Sequence, residues 1–313
     1  MGAASEVGTL WLIARSGPGK DQELSKIDPE GQLSGWFNPT LPLNPIQWID
    51  YLSPSASGNR VGLLANVISG GKVETHEGAF FVPVEAGGLG PARRIAGRDG
   101  PQFPLLIGDG AGQFIAVGDQ EPLTLLKLDA TGAQQWRRSF SSKLVLPEVS
   151  AGTNGNIFVL SQGGSYILLQ MLDKTGLLLR SKRIAAKQGT VAANADGGCS
   201  ILLSKRNGGG ENRVYLTSLS QTLGESKEIE TPLRGRGGRT YQLISTPRGH
   251  VVIGEGADQQ QQILAEFDRS NQLIWQETRS GPFVPLLIPF KSGFYAVTPL
   301  EEVKGTHVEK YVY

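Results

Sequence analysis

The sequence is poor in the residues that most often build catalytic and metal centres. Its 313 residues include one cysteine, Cys199, and three histidines, His76, His250 and His307, which lie far apart along the chain. A single cysteine excludes an intrachain disulfide. Histidines without a close histidine or cysteine neighbour do not provide the spacing of a zinc site. The sequence therefore predicts no metal site and no cofactor, and both Cys199 and His250 are interpreted as buried strand residues.

Long apolar runs and an excess of one charge are also missing. No stretch of 18 apolar residues occurs, so a transmembrane helix is excluded. Lys and Arg number 30 and Asp and Glu 29, a net charge of +1 that gives no general attraction to nucleic acid or to an anionic membrane. No Gly-x-Ser-x-Gly elbow is present, which weakens the case for a serine hydrolase. Carboxylates that meet from distant segments leave a metal-dependent hydrolase or lyase open as an alternative.

Glycine, in contrast, is abundant and periodic. The chain has 42 glycines, and one stands directly before or within the start of each of seven apolar segments. These glycines are separated by 43 to 54 residues and are Gly8, Gly58, Gly112, Gly155, Gly198, Gly249 and Gly293. A repeat of roughly 40 to 50 residues made of short strands is typical of β-propeller blades. The sequence predicts an all-β, seven-bladed β-propeller in a single domain over residues 1–313, with six or eight blades as alternatives.

A second pattern follows the apolar segment in most repeats. Its clearest copy runs from Leu126 through Asp129 and Gly132 to Trp136. Aspartate before a turn accepts hydrogen bonds from nearby backbone amides, and glycine or asparagine supplies the positive φ that such a turn needs. Related copies are centred on Asp28, Asp173, Asp268 and, in degenerate form, Ser220. We interpret these aspartates as turn formers and not as metal ligands.

The two patterns together predict four strands in each blade. In the third repeat the predicted strands are 103–108, 113–118, 124–128 and 135–140, and in the fourth they are 146–150, 156–161, 167–172 and 178–184. The first repeat begins at its second strand, residues 9–14, and the last ends at its third. We therefore expect both terminal blades to be three-stranded.

Basic residues mark the predicted outer strands of three successive blades. They occur as the adjacent pairs Arg93-Arg94, Arg137-Arg138 and Lys182-Arg183. Charged side chains on an open strand edge discourage edge-to-edge pairing, which explains these pairs without a ligand. A separate cluster, Arg234 to Arg239, alternates arginine with glycine and suits bidentate contacts to carboxylates or phosphates.

The hairpin from Leu126 to Trp136, preceded by Gly112 and its apolar strand, resembles the repeats of bacterial β-propellers of the pyrroloquinoline-quinone-like group. The match is good for residues 112–136, fair for 155–176 and 249–275, and poor for 58–97 and 198–224. The quinone-dependent enzymes of that group carry a calcium site and adjacent paired cysteines, which this chain lacks. The resemblance implies a non-catalytic binding scaffold of the bacterial envelope, periplasmic or extracellular.

Propeller partners commonly bind the face that carries the loops joining the fourth strand to the next first strand and the second strand to the third. On this chain the predicted partner-binding residues are Trp48, Gln102, Phe103, Glu148, Arg236, Arg239, Tyr241 and Phe283. Aromatic residues and arginine are enriched at protein-binding hot spots. We expect the partner to be another protein, with a carbohydrate as the alternative and nucleic acid disfavoured. Residues near the start of a first strand can instead simply fill the channel.

Overall fold

A computed structural model gives the fold. It describes residues 1–6, 8–15, 22–37, 41, 47–69, 75–85, 88–118, 121–140, 145–206, 212–225, 227–234, 241–258, 260–281, 284–300 and 305–313. The chain forms two compact units, Met1–Lys143 and Leu144–Tyr313. Within the described residues every regular element is a β-strand, and no helix is found.

The first unit holds three antiparallel sheets, which we number blades 1 to 3 in chain order. Blade 1 consists of β1 (Gly2–Ala4), β2 (Leu10–Arg15), β3 (Gln22–Ile27) and β4 (Leu33–Phe37). Blade 2 consists of β5 (Gln47–Ser57), β6 (Arg60–Ser69), β7 (Thr75–Glu85), β8 (Gly88–Leu89) and β9 (Arg93–Ala96), the last two both pairing with β7. Blade 3 consists of β10 (Leu105–Gly108), β11 (Phe114–Val117), β12 (Leu123–Leu128) and β13 (Gln134–Phe140).

The second unit holds four sheets, blades 4 to 7. Blade 4 consists of β14 (Val145–Ala151), β15 (Ile157–Gln162), β16 (Ile167–Leu172) and β17 (Leu178–Ile184). Blade 5 consists of β18 (Gln188–Ala193), β19 (Cys199–Arg206), β20 (Asn212–Leu219) and β21 (Ile229–Arg234). Blade 6 consists of β22 (Tyr241–Ser245), β23 (Gly249–Glu255), β24 (Gln261–Asp268) and β25 (Leu273–Ser280). Blade 7 consists of β26 (Leu286–Phe290), β27 (Gly293–Leu300) and β28 (Gly305–Val312).

The predicted fold class is confirmed: the chain is an all-β, seven-bladed β-propeller. Within each sheet the strands follow one another in chain order as antiparallel neighbours, except that β9 of blade 2 pairs with β7 and not with β8. The strands predicted for blades 3 and 4 agree with those observed to within two residues at each end. The prediction of a single domain remains a prediction.

The expectation of a three-stranded first blade is wrong. Gly2–Ala4 forms β1 and pairs with β2, so blade 1 has four strands, whereas blade 7 has three as predicted. Ala3 and Ala4 are buried, although neither carries the bulky side chain that marks the other strands. An inner strand lies close to its neighbours, where small residues fit, and a pattern based on large apolar residues overlooks it.

The aspartate turns are confirmed. The carboxylate oxygen Oδ1 of Asp129 accepts hydrogen bonds from the amides of Thr131 and Ala133, at 2.8 and 2.9 Å. Asp173 and Asp268 accept the equivalent bonds in blades 4 and 6. In the degenerate copy of blade 5 the positive φ falls on Leu223, at 59°, and not on Gly224. The carbonyl of this strained Leu223 accepts a hydrogen bond from Lys182 Nζ at 2.9 Å.

Apolar clusters form between successive sheets of each unit. In the second unit one cluster joins blade 4 residues such as Phe158 and Leu169 to blade 5 residues such as Ile201 and Leu203, all fully buried. Further clusters join blades 5 and 6 and blades 6 and 7. The first unit repeats the arrangement between blades 1 and 2 and between blades 2 and 3. Each sheet therefore buries side chains that its neighbour also needs buried, as repeat architectures require.

Candidate partner-binding site

The first strands of neighbouring blades are joined by polar side chains. The hydroxyl of Ser150 on β14 accepts a hydrogen bond from the Ala193 amide on β18, at 2.9 Å. In the same unit Gln242 Oε1 on β22 accepts one from the Leu287 amide on β26, at 2.9 Å. Ser53 Oγ does the same for the Leu106 amide in the first unit. These bonds satisfy backbone donors that the inner strands leave unpaired within their own sheets.

Two of the predicted site residues, Glu148 and Tyr241, lie on first strands of the second unit. Glu148 is half-buried on β14, and its Oε2 accepts a hydrogen bond from Thr190 Oγ1 on β18, at 3.5 Å. Tyr241 begins β22, and only 7% of it is exposed. Burial raises the pKa of Tyr241, the Ser204 hydroxyl lowers it in part, and the charge of Glu148 raises it further. Glu148 and Tyr241 are therefore within electrostatic reach of each other.

The chemistry of this cluster is that of hydrogen bonding. The phenol of Tyr241 is protonated at neutral pH, as in any tyrosine, and its raised pKa keeps it protonated in more alkaline solution as well. Thr190 and Ser204 add hydroxyls that donate or accept, and an ionised Glu148 accepts only. Tyr241 is the first residue of β22, and Ser204 lies two residues before the end of β19. The start of a first strand and the end of a second strand lie on the same face of a propeller, which is the face of the predicted binding loops.

The remaining predicted residues have different surroundings. Gln102 is half-buried in the first unit, and Phe103 next to it is 1% exposed within an apolar cluster. The backbone amide and carbonyl of Phe103 both bond the side chain of Asn66. Trp48 lies on β5. Its side chain, together with Arg236, Arg239 and Phe283, falls outside the described residues. Phe103 and Tyr241 thus contribute interior packing more than accessible surface.

A cleft that the sequence did not suggest lies between blades 5 and 6 of the second unit. It has a volume of about 460 Å³ and is lined by turn residues that include Asp196, Ser220, Glu225 and Arg269. His250 also lines it and is 3% exposed, as the sequence predicted for a packed strand residue. The lining comes from four separate turns, so no single motif marks it.

His250 anchors a buried polar network beneath this cleft. Its Nε2 lies 3.1 Å from Ser200 Oγ and 3.5 Å from Ser218 Oγ, and Ser218 donates to Asn271 Oδ1. Burial lowers the pKa of His250 to about 4, against the opposing charges of Asp196 and Asp268. The imidazole is therefore neutral at pH 7. Cys199, next to Ser200 on β19 of blade 5, is fully buried, as predicted, and burial raises the pKa of its thiol.

Two features are absent from the described residues. No group of three or more histidine, cysteine, aspartate or glutamate side chains is placed to hold a metal ion among them. The same part of the chain contains no helix with the length and apolarity needed to cross a membrane.

Comparisons with known proteins agree with the fold. No family model and no curated protein sequence matches the chain. Among solved structures it is similar to BamB from Moraxella catarrhalis, at 15% identity and a TM-score of 0.52, over 99% of this chain and 83% of that one. It is similar to YCF48 bound to D1 peptide, at 12% identity and a TM-score of 0.56, over 100% and 91%.

A third similar structure is that of prolyl oligopeptidase B from Galerina marginata, at 10% identity and a TM-score of 0.58, over 100% of this chain and 48% of that one. At these identities the similarities show the fold alone.

Proposed function

We propose that the protein is a non-catalytic, protein-binding β-propeller of the bacterial cell envelope, periplasmic or extracellular. The observation that carries the proposal is the hydrogen bond between the half-buried side chains of Glu148 and Thr190, which joins the first strands of blades 4 and 5, with Tyr241 within electrostatic reach of Glu148. YCF48, whose fold this chain shares, was solved with a bound D1 peptide. The envelope location rests on the resemblance of the repeats to those of bacterial envelope propellers.

The chemistry of the cluster suits a polypeptide. The half-buried carboxylate of Glu148 accepts hydrogen bonds and the half-buried hydroxyl of Thr190 donates or accepts them, which suits the donors and acceptors of an extended backbone. Tyr241 and Ser204 are themselves buried. In the sequence, Arg236 and Arg239 lie among the five residues before β22. Arginine forms bidentate bonds with carboxylates, so we propose a partner segment that carries acidic side chains opposite these arginines.

The test is a pull-down from an envelope extract of the native host, followed by binding measurements with the purified partner. The wild-type chain should retain one protein in stoichiometric amount. Glu148→Lys and the double variant Arg236→Ala/Arg239→Ala should each lose it, because they reverse or remove charges at the proposed site. Glu30→Lys changes an exposed residue of a blade 1 turn and serves as the matched control, which should bind normally.

Two results would overturn the proposal. One is retention of the same partner by the Glu148 and arginine variants at wild-type affinity. The other is capture of no protein together with binding to a glycan array, which would favour a carbohydrate-binding propeller.

A further inference from the structure

The outer strand of blade 4 begins with three consecutive exposed leucines. Leu177, Leu178 and Leu179 are 57, 52 and 49% exposed. Single exposed apolar residues are common on protein surfaces, but contiguous ones mark interaction sites. Leu177 follows the turn at Asp173, and Leu178 and Leu179 are the first two residues of β17.

Basic residues follow the leucines along the same strand. β17 continues with Arg180, Ser181, Lys182 and Arg183 and contains no acidic residue. Lys182 is held by Glu225 of blade 5 at 2.9 Å, and the guanidinium of Arg183 lies over the ring of Tyr166, 5.1 Å from its centre. These contacts fix the direction of two long side chains before any partner arrives, which lowers the entropy cost of binding.

The strand also has an open edge. β17 pairs with β16 on one side, and no described strand pairs with it on the other. An unpaired edge presents a row of backbone donors and acceptors that another strand can use. Outer strand β25 of blade 6 exposes Leu273 and Ile274 in the equivalent place but continues with both acidic and basic residues.

We propose that the open edge of β17 receives an extended segment of a partner protein as a fifth strand of blade 4. The segment runs antiparallel, so that acidic side chains face Arg180 and Arg183 and apolar ones further along face the leucines. Main-chain hydrogen bonds supply affinity in such strand addition, and side chains supply specificity. This surface goes beyond the proposed function, because it is separate from the Glu148 and Tyr241 site.

Two other occupants fit less well. A second copy of this chain could pair its own β17 antiparallel to the first. Such a pair would place leucines opposite basic residues, or basic residues opposite each other. Like charges directly across a strand pair are destabilising. A lipid bilayer would cover the leucines but leave the backbone groups of the edge without hydrogen-bond partners, which is costly in an apolar medium. An acidic and apolar strand satisfies the charges, the leucines and the edge together.

The test uses the whole chain and a fluorescein-labelled synthetic peptide, Thr-Glu-Val-Thr-Glu-Val-Val-Ile-Val, whose two glutamates have the spacing of Arg183 and Arg180, and binding is followed by fluorescence anisotropy. Leu178→Ser/Leu179→Ser and Arg180→Glu/Arg183→Glu should each weaken binding about tenfold, the loss of two or three cross-strand pairs. Leu273→Ser/Ile274→Ser on β25 is the matched control and should bind like wild type. A peptide with its fourth and sixth residues changed to proline should not bind, because proline cannot donate to a strand ladder.

The outcomes separate the alternatives. Saturable peptide binding that the β17 variants lose and the β25 control keeps, with slower amide exchange in β17, supports the proposal. Absence of peptide binding overturns it, as does equal binding by the proline peptide, which would indicate charge attraction alone. Binding to phosphatidylserine vesicles but not to the peptide, or a dimer that Leu178→Ser/Leu179→Ser abolishes, also overturns it. Glu148→Lys should leave peptide binding unchanged, so failure here is distinct from failure of the proposed function.

Discussion

The ammonium nitrogen of Lys127 lies 3.2 Å from Oδ2 of Asp109, and both side chains are almost completely buried. The other carboxylate oxygen of Asp109 accepts hydrogen bonds from the hydroxyl of Ser57 and from the amides of Ala111 and Gln113. Ser57 is the last residue of β5, so its hydrogen bond to Asp109 connects blade 2 to the ion pair of blade 3.

Replacing Lys127 with methionine should destabilise the protein by about 3–5 kcal/mol, because the carboxylate of Asp109 is then buried without its cation. Urea unfolding at pH 7 measures the change. The double variant Lys127→Met/Asp109→Asn removes both charges and should recover part of the loss. A single variant as stable as wild type would show that the pair contributes nothing.

His250 should make the stability depend on pH between about 6.5 and 4. Its pKa falls from 6.5 to about 4 on folding, so the unfolded chain binds a proton in this interval that the folded chain does not. Stability is therefore complete above pH 6.5 and decreases as the pH falls towards 4, by about 3 kcal/mol in total.

Urea unfolding of His250→Gln at several pH values tests this. The variant should show a smaller stability loss than wild type over the same interval. Parallel slopes for wild type and His250→Gln would contradict the prediction.

The hairpins could be predicted from the sequence because their determinants are local. Asp129 and Gly132 determine the conformation of their turn within four residues. The ends of the predicted strands on either side therefore agree with the observed ends to within two residues. Strand β1 and the positive φ of Leu223, expected at Gly224, were missed for the opposite reason. The packing of alanines against neighbouring strands and the support that Lys182 gives to Leu223 both depend on residues far away in the sequence.

The candidate site divides in the same way. Glu148 and Tyr241 were assigned to one face from the repeat alone, and their role at that face stays a prediction, although the charge of Glu148 does reach Tyr241. The burial of Phe103 was not predictable, because the apolar cluster around it is drawn from blades 2 and 3. The cleft at His250 is assembled from four turns, and only the tertiary structure brings them together.

Asp268 should stabilise blade 6 above pH 4 and lose that role in acid. Backbone hydrogen bonding from Gln272, with further bonds from Ser270, lowers the pKa of its carboxyl below the ordinary 3.8. A lowered pKa on folding gives a contribution that is complete above the unfolded pKa and disappears as the pH falls through the folded one.

The variant Asp268→Ala should therefore have a lower urea midpoint than wild type at pH 7, and the gap should narrow below pH 4. Glu30→Ala, at an exposed turn position of blade 1, is the control and should follow wild type at both pH values. A gap that stays constant into acid would mean that the charge of Asp268 has no part in the turn.

The ring of Phe81 is packed against Gly62 of blade 2 and Gly132 of blade 3, so a larger residue at position 62 would collide with it. A Cβ atom on Gly62 would lie 2.5 Å from the Phe81 ring, and one on Gly132 of blade 3 would lie 2.6 Å from it. The ring is fully buried and also contacts Phe114, at 5.2 Å between centres, so it has no room to move away. Overpacking of this kind costs roughly 1–3 kcal/mol.

Gly62→Ala should accordingly lower the free energy of unfolding by about that amount, 1–3 kcal/mol, in urea titration. Gly97→Ala is the matched control, because nothing lies within 4 Å of the added Cβ, and it should be close to neutral. Adding Phe81→Leu to Gly62→Ala shortens the obstructing side chain and should cost less than the two single changes summed, since residues in contact are not additive. Strict additivity of the two changes would show that the contact between Gly62 and the Phe81 ring does not limit packing at this position.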